Sequence, residues 1–351
     1  MMDDGQNDAP ASSRLELLHA DYSRGTMQNG RPLKILEGNV YARQDTLQLW
    51  CQRAVYNEQE KNIMLTGRVK LVRGSDTLTA IQVTYYEETK LAVAVGNVEV
   101  RRPGRFLQTD HLEYYYGSDK IRARGHLKLD DQENFVHITA GAGEYLPDEK
   151  RTYVEDHAHL WQIDSTATDT LNIFSRRMDY FFGEERLAIA IDSVRIIQGL
   201  LHARCDSAVY DLDTEIAYLE KEPYAVQENN EMFGKQMALI LKDMELEQIR
   251  ISGGARAVSV VDSAREKENR LEGREIIMYI SNRKLRELKA ISNARSTYYL
   301  KEKKEDKGVN VASADTIKAF FEKNELDSIA VIGGSQGTFY PEDYKGPIAQ
   351  E

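Results

Sequence analysis

Ile63-Met64-Leu65-Thr66-Gly67-Arg68-Val69-Lys70-Leu71 places Ile63, Leu65, Gly67, Val69 and Leu71 on one side of an alternation and Thr66, Arg68 and Lys70 on the other. A period of two is the mark of a half-buried β-strand. The pattern returns at Leu36-Glu37-Gly38-Asn39-Val40, Ala94-Val95-Gly96-Asn97-Val98 and Ala123-Arg124-Gly125-His126-Leu127, with the glycines 29, 29 and 29 residues apart. Tyr56, Tyr85 and Tyr114 each stand eleven residues before one of these glycines. Markers held at constant spacing define an internal repeat. Glycine inside a strand weakens it and usually accompanies a bend or bulge. Its recurrence at one repeat position therefore predicts a corner where the strand folds over.

Downstream the intervals lengthen while the grammar persists. Gly143-Glu144-Tyr145 leads to Asp156-His157-Ala158, and Asp206-Ser207-Ala208-Val209-Tyr210 leads to Lys221-Glu222-Pro223; Ser252-Gly253-Gly254-Ala255, Ser292-Asn293-Ala294-Arg295 and Gly333-Gly334-Ser335-Gln336-Gly337 follow. The sum is about ten units, an all-β, elongated, open β-jelly roll built from stacked two-strand repeats. Residues 15–345 are expected to form it continuously; the alternative is two modules, with the break within 164–197, where the repeat is loosest. Residues 1–14 are expected to be a disordered tail and residues 346–351 a C-terminal tail. Windows 236–248 and 313–321 have helix-compatible composition but fall where the repeat requires strands. The added length of the later repeats is assigned to charged loops at 264–269 and 301–307.

A chain of 351 residues would otherwise suggest two or three globular domains. Its 46 Lys and Arg against 57 Asp and Glu leave a net charge of -11, which argues against a nucleic-acid partner. Hydrophobic residues at 41% with only seven prolines describe a folded chain. No apolar run approaches the length of a membrane-spanning helix, and Met1-Met2-Asp3-Asp4-Gly5 has neither the basic nor the apolar region of a signal peptide. Cys51 and Cys205 fall several strands apart, roughly 20 Å at the usual strand spacing, which predicts two free thiols.

Catalytic motifs are weak. Gly333-Gly334-Ser335-Gln336-Gly337 matches the pattern of a hydrolase nucleophile elbow, but an elbow needs a helix after the serine and a later histidine, and the last histidine is His202. His157 and His159 could chelate a metal but lack a third ligand placed by the sequence. Gly141-Ala142-Gly143 lacks the third glycine of a dinucleotide loop. The chain is expected to be non-enzymatic and to need no cofactor or metal. The tyrosine series predicts a stacked ladder that pins register, and Arg101, Arg102 and Arg105 form the densest basic cluster, expected in a solvated turn.

The run Gly38-Asn39-Val40, Asp45-Thr46-Leu47, Ala54-Val55-Tyr56, Gly67-Arg68-Val69 and Gly96-Asn97-Val98 resembles the OstA-like, LptA-type family of lipopolysaccharide transport proteins, over residues 15–341. The resemblance implies a periplasmic lipid carrier that holds lipopolysaccharide acyl chains in a groove and bridges inner to outer membrane. The groove would be lined by Val40, Leu49, Ile63, Leu65, Val69, Leu71, Leu78, Val83, Val98, Val100, Ile121, Leu127 and Leu129. Implied partners are lipopolysaccharide or a related glycolipid, and other jelly-roll transport proteins docked at strand edges, with head-to-tail self-association. The competing reading is a structural or adhesive β-repeat protein whose core is filled, as protein interiors usually are.

Overall fold

The computed structural model describes residues 16–28, 30–132, 135–163, 170–243, 245–262, 267–302, 305–322, 325–346 and 348. They form two compact units, Met1–Val154 and Glu155–Glu351. The residues expected to form the N-terminal tail, 1–14, lie outside the described residues. Among the described residues the regular elements are 24 strands and one short 3-10 turn at Pro147–Glu149. Window 313–321 is strand, within Glu305–Glu322, and window 236–248 is two strands, Gln236–Lys242 and the start of Glu245–Asp262, with a turn at Asp243 and residue 244 outside the described residues. The stacked two-strand repeat of an all-β jelly roll is thus the architecture of the chain.

In the first unit the strands Arg31–Gln44, Leu47–Asn57, Asn62–Arg73, Asp76–Tyr86, Leu91–Arg102, Arg105–Tyr115, Lys120–Asp131 and Val136–Leu146 follow one another, each antiparallel to the next. In the second unit Thr170–Phe182, Arg186–Gln198 and Leu201–Asp211 continue the same meander. Leu201–Asp211 then pairs with two short strands, Ile216–Glu220 and Tyr224–Gln227. The break between them carries Pro223, which has no N–H to give a ladder. Beyond it, Glu245–Asp262, Lys267–Ser281, Lys284–Glu302 and Glu305–Glu322 pair in sequence.

The predicted corners are visible in the backbone. Apart from the hairpin turn Asn282-Arg283, two consecutive described residues adopt left-handed φ, between 44° and 82°, at Gly38-Asn39, Gly67-Arg68, Gly96-Asn97, Gly125-His126, Asp156-His157, Asp192-Ser193, Lys221-Glu222, Gly253-Gly254, Ser292-Asn293 and Gly333-Gly334. These ten corners match the number of units read from the repeat. Where the register is defined, each inserts an extra residue into its ladder. Gly96 and Asn97, for example, lie between the pairs Val95↔His111 and Val98↔Thr109, so two residues face Asp110 alone. Such a bulge bends the strand and raises its twist. Where glycine holds the first position, space as well as φ favours it: a Cβ on Gly125 would sit 2.5 Å from an Asp110 carboxylate oxygen. The second residue often reaches back across the corner. Asn39 Nδ2 donates to Asp21 at 3.1 Å, and His126 Nδ1 lies 2.7 Å from Asp110.

Two expectations need correction. The longer late repeats carry their added residues mainly in strands: Glu245–Asp262, Lys284–Glu302 and Glu305–Glu322 have 18, 19 and 18 residues against 12 in Asn62–Arg73. The stretches 264–269 and 301–307 largely belong to strands, with 264–266 and 303–304 outside the described residues. The tyrosines also do not stack directly. One repeat spans two strands, so equivalent residues lie about 9.6 Å apart at the usual strand spacing. The register interleaves them with aliphatic residues, as Tyr56–Ile63–Tyr85–Ala92–Tyr114–Ile121. Tyr116 bridges two of them, with its ring edge-on to Tyr85 at 5.7 Å and to Tyr114 at 4.4 Å.

Cys51 and Cys205 are both free and buried. Loss of hydration raises the Cys51 thiol to about 11 and the Cys205 thiol to about 12. Both thiols are expected to resist a thiolate-directed reagent at pH 8 in the native state and to react fully in denaturant; rapid native labelling of either would contradict this burial. At the corners, Gly125→Ala is expected to cost about 1–2 kcal/mol from left-handed φ alone. Gly117→Ala, in open space and without positive φ, should stay within about 0.5 kcal/mol of wild type. Urea denaturation of the two variants measures the difference, and equal midpoints would remove the steric role of the corner.

Candidate functional site

Directly opposed residues on neighbouring antiparallel strands share a face, so register sorts the interior of the first unit into rows. Next to the corners on one side runs Leu36–Ala54–Leu65–Val83–Ala94–Leu112–Ala123–Gly143. On the other side of the corners, Val40, Val69, Val98 and Leu127 are each the first inward residue after the bulge. Val40, Leu65, Val69, Val83, Val98 and Leu127 are all 3% exposed or less. They make a closed floor.

Two residues further from the corner the burial relaxes. The row Ala42–Leu49–Leu71–Leu78–Val100–Leu107–Leu129–Ile138 crosses eight strands without a polar interruption. Ala42 and Leu49 at its start are buried, whereas Leu71, Leu78, Val100, Leu107, Leu129 and Ile138 are half-buried. On the opposite arm the row from Tyr56 to Ile121 continues to Tyr145, and there Tyr56, Ile63, Tyr85, Tyr114, Ile121 and Tyr145 are also half-buried. The first unit is thus sealed at its corners and looser toward its strand ends, with aliphatic residues along one arm and tyrosines alternating with aliphatics along the other.

The thirteen residues named from sequence divide along this gradient. Val40, Leu49, Leu65, Val69, Val83, Val98 and Leu127 are buried, and Ile63, Leu71, Leu78, Val100, Ile121 and Leu129 are half-buried. Val40, Leu49, Leu65, Val69, Val83 and Val98 belong to one packed cluster, against which Ile63, Leu71, Leu78, Val100 and Ile121 lie. Leu129 joins through its pairing with Leu107. Sequence reasoning missed Leu107 and Ile138, which complete the aliphatic row. Both lie on return strands without a corner glycine, and their signal is the mirror position across the hairpin from Val100 and Leu129.

Several charged groups of the first unit pair with one another. Arg101, Arg102 and Arg105 meet Glu99, Asp76 and Asp131 at 3.0, 3.0 and 3.4 Å, which fits the expected solvated turn. On the outward face Arg122 and Lys120 hold Glu144, while Tyr115 and His111 hydrogen-bond Glu113. Burial opposes ionisation of both carboxyls, but these partners outweigh it and hold Glu113 and Glu144 below the usual carboxylate range.

In the second unit the interior is occupied by bulkier side chains. Leu219, Met232, Met237, Ile249, Ile251, Ile276, Met278 and Ile317 are each 2% exposed or less. The motifs singled out earlier resolve into structure. Gly333-Gly334 is a corner, Ser335 Oγ donates to the Val331 carbonyl at 3.1 Å, and a strand, Gln336–Pro341, follows where an elbow needs a helix. His157 is the second residue of a corner, and His159 stacks on Phe174 at 4.1 Å and contacts Asn172 at 3.1 Å. Gly141-Ala142-Gly143 lies inside the strand Val136–Leu146.

Residues 12–168 match the family model described as OstA-like protein. Comparison with curated proteins gives no match. Among solved structures, a similar chain is LptH of Pseudomonas aeruginosa, described as the LptA-homologous periplasmic component of the conserved lipopolysaccharide transport device. It is 17% identical, with 33% of this chain and 82% of that chain covered and a TM-score of 0.31. The segment 12–168, which takes in every described strand of the first unit, is therefore similar to the OstA-like family.

Proposed function

We propose that the first unit is a non-enzymatic lipid carrier that holds the acyl chains of lipopolysaccharide or a related glycolipid between its aliphatic and tyrosine rows. The observation that carries this reading is the graded interior. A core built only for stability would bury its large apolar side chains throughout, at about 1.5–3 kcal/mol for each one fully removed from water. Here Leu71, Leu78, Val100, Leu107 and Leu129 form an unbroken row yet remain only partly buried. Acyl chains laid along that row would complete the burial the side chains leave unfinished. The OstA-like match of residues 12–168 supports lipopolysaccharide transport as the setting, and with it a periplasmic location.

Docking of neighbouring jelly rolls, or of a second copy, belongs to the same proposal. Among the described residues, Glu16–His19 and Tyr22–Gln28 pair only with Arg31–Gln44, and Glu325–Ile332 and Gln336–Pro341 pair only with Glu305–Glu322. Unpaired edges of this kind invite strand addition. The filled interior of the second unit favours a different role there, that of a structural module with a dry core.

Photo-crosslinkers placed at Leu71, Val100 and Leu107 are expected to give lipopolysaccharide adducts at least several-fold above those from the outward-facing Lys70 and Glu99. Equal yields from both sets would overturn the carrier reading. Leu107→Asp, at a half-exposed position, is expected to weaken lipid binding about tenfold while leaving the unfolding midpoint nearly unchanged. Leu65→Ala, in the closed floor, is expected to cost about 2–5 kcal/mol of stability.

A further inference from the structure

One outward-facing row of the second unit has no counterpart in the groove. Register aligns Phe174, Arg195, Arg204, Tyr224, Phe233, Arg256, Glu272, Arg295, Ser313 and Gln336, each paired directly with the next. Its arginines face away from the core. Arg195 lies between buried Val194 and Ile196, Arg204 between Ala203 and Cys205, Arg256 between Ala255 and Ala257, and Arg295 between Ala294 and Ser296. Three of them lie over aromatic rings: Arg195 on Phe174 at 4.7 Å, Arg204 on Tyr224 at 4.5 Å and Arg256 on Phe233 at 4.5 Å.

Cation–π packing is worth about 0.5–1 kcal/mol at exposed sites and by itself could account for such pairs. Three features go beyond it. Arg195 and Arg204 are directly opposed, an arrangement of like charges that destabilises a sheet. None of Arg195, Arg204, Arg256 and Arg295 has a carboxylate partner among the described residues, although the chain carries a net charge of -11 and pairs many of its other arginines. Finally, a cleft of about 530 Å³ opens on the row, between the corners Gly253-Gly254 and Ser292-Asn293, where Phe233, Arg256, Arg274 and Arg295 converge. Arg256, one of the residues lining it, has its Nε buried without any hydrogen-bond partner. Leaving such a donor unsatisfied costs on the order of 1–3 kcal/mol, and more when it is charged.

The geometry points to a binding site for a phosphate group at Arg256, Arg274 and Arg295, on the outward face of the second unit. Guanidinium groups bind phosphate through paired, charge-assisted hydrogen bonds. Glu272, the acidic member of the row, lines the same cleft but leans to Arg270 at 3.9 Å. That leaves three guanidinium groups against one carboxylate that is already partnered. Phe233 offers an apolar wall for a sugar or alkyl group carried by the phosphate. The site does not depend on the acyl-chain groove of the first unit.

Calorimetric titration of the full chain with inorganic phosphate, glucosamine 6-phosphate and dihexanoyl phosphatidic acid below its micelle concentration tests the assignment. Saturable binding is expected, weakened at least tenfold by Arg256→Gln and by Arg295→Gln and unchanged by Arg101→Gln in the first unit. Arg295 is exposed, so its variant carries the test even if Arg256→Gln disturbs folding. Equal affinity for all three probes identifies free phosphate as the source of the ligand; tighter binding of the sugar or lipid phosphate identifies a headgroup. Absence of saturable binding to all three, or wild-type binding by Arg295→Gln together with any folded Arg256→Gln, would overturn the site.

Discussion

Paired left-handed residues at ten corners bend a long strand or join two short ones at an angle, and the arrangement of the interior follows from that bend. A straight antiparallel hairpin has two faces and no inside. Folding it over at a two-for-one bulge turns one face inward on both sides of the corner. Side chains nearest the bend are forced together, which is why Val40, Val69, Val98 and Leu127 are almost wholly buried. Those two residues further out have room, and their burial depends on what lies between the arms. Glycine serves the first corner position at Gly38, Gly67, Gly96 and Gly125 because that position needs positive φ and lies against a side chain of the adjacent strand.

The two units use the same bend for different interiors. In the first, alanines and valines line the floor, and leucines and tyrosines toward the strand ends stay partly in water. In the second, methionine and isoleucine fill the space: Met232, Met237, Ile249, Ile276 and Met278 are nearly inaccessible. Methionine is well suited to closing irregular gaps. The second unit's distinctive chemistry is accordingly on its outside, where register brings arginine and aromatic side chains into one row.

Much of this was legible in the sequence where one residue type is compulsory. Four glycines at equal spacing exposed the corners of the first unit, and the alternation around them exposed its inward face. Asp156-His157, Lys221-Glu222 and Ser292-Asn293 were recognisable as repeat positions only through their neighbours. Asp192-Ser193 was not recognised, since aspartate tolerates left-handed φ better than most residues but signals many other things too. The gradient from closed floor to half-exposed rows is set by distance from the bend and is invisible to a period-two pattern, which marks Val69 and Leu71 alike. The arginine row was harder still. Arg195, Arg204, Arg256 and Arg295 have no common interval in the chain, and only the pairing of strands with bulges of different spacing aligns them.

The central claim is that lipid occupies the interior of the first unit and is excluded from that of the second. Methyl NMR spectra of the full chain with a lipid bearing a nitroxide on its acyl chain test this most directly, because broadening reports proximity to the chain itself. The account predicts strong broadening of the Leu71, Leu78 and Leu107 methyls, with the Met232, Met237 and Met278 methyls unaffected. Equal broadening of the methionines, or sharp leucine signals at saturating lipid, would contradict it.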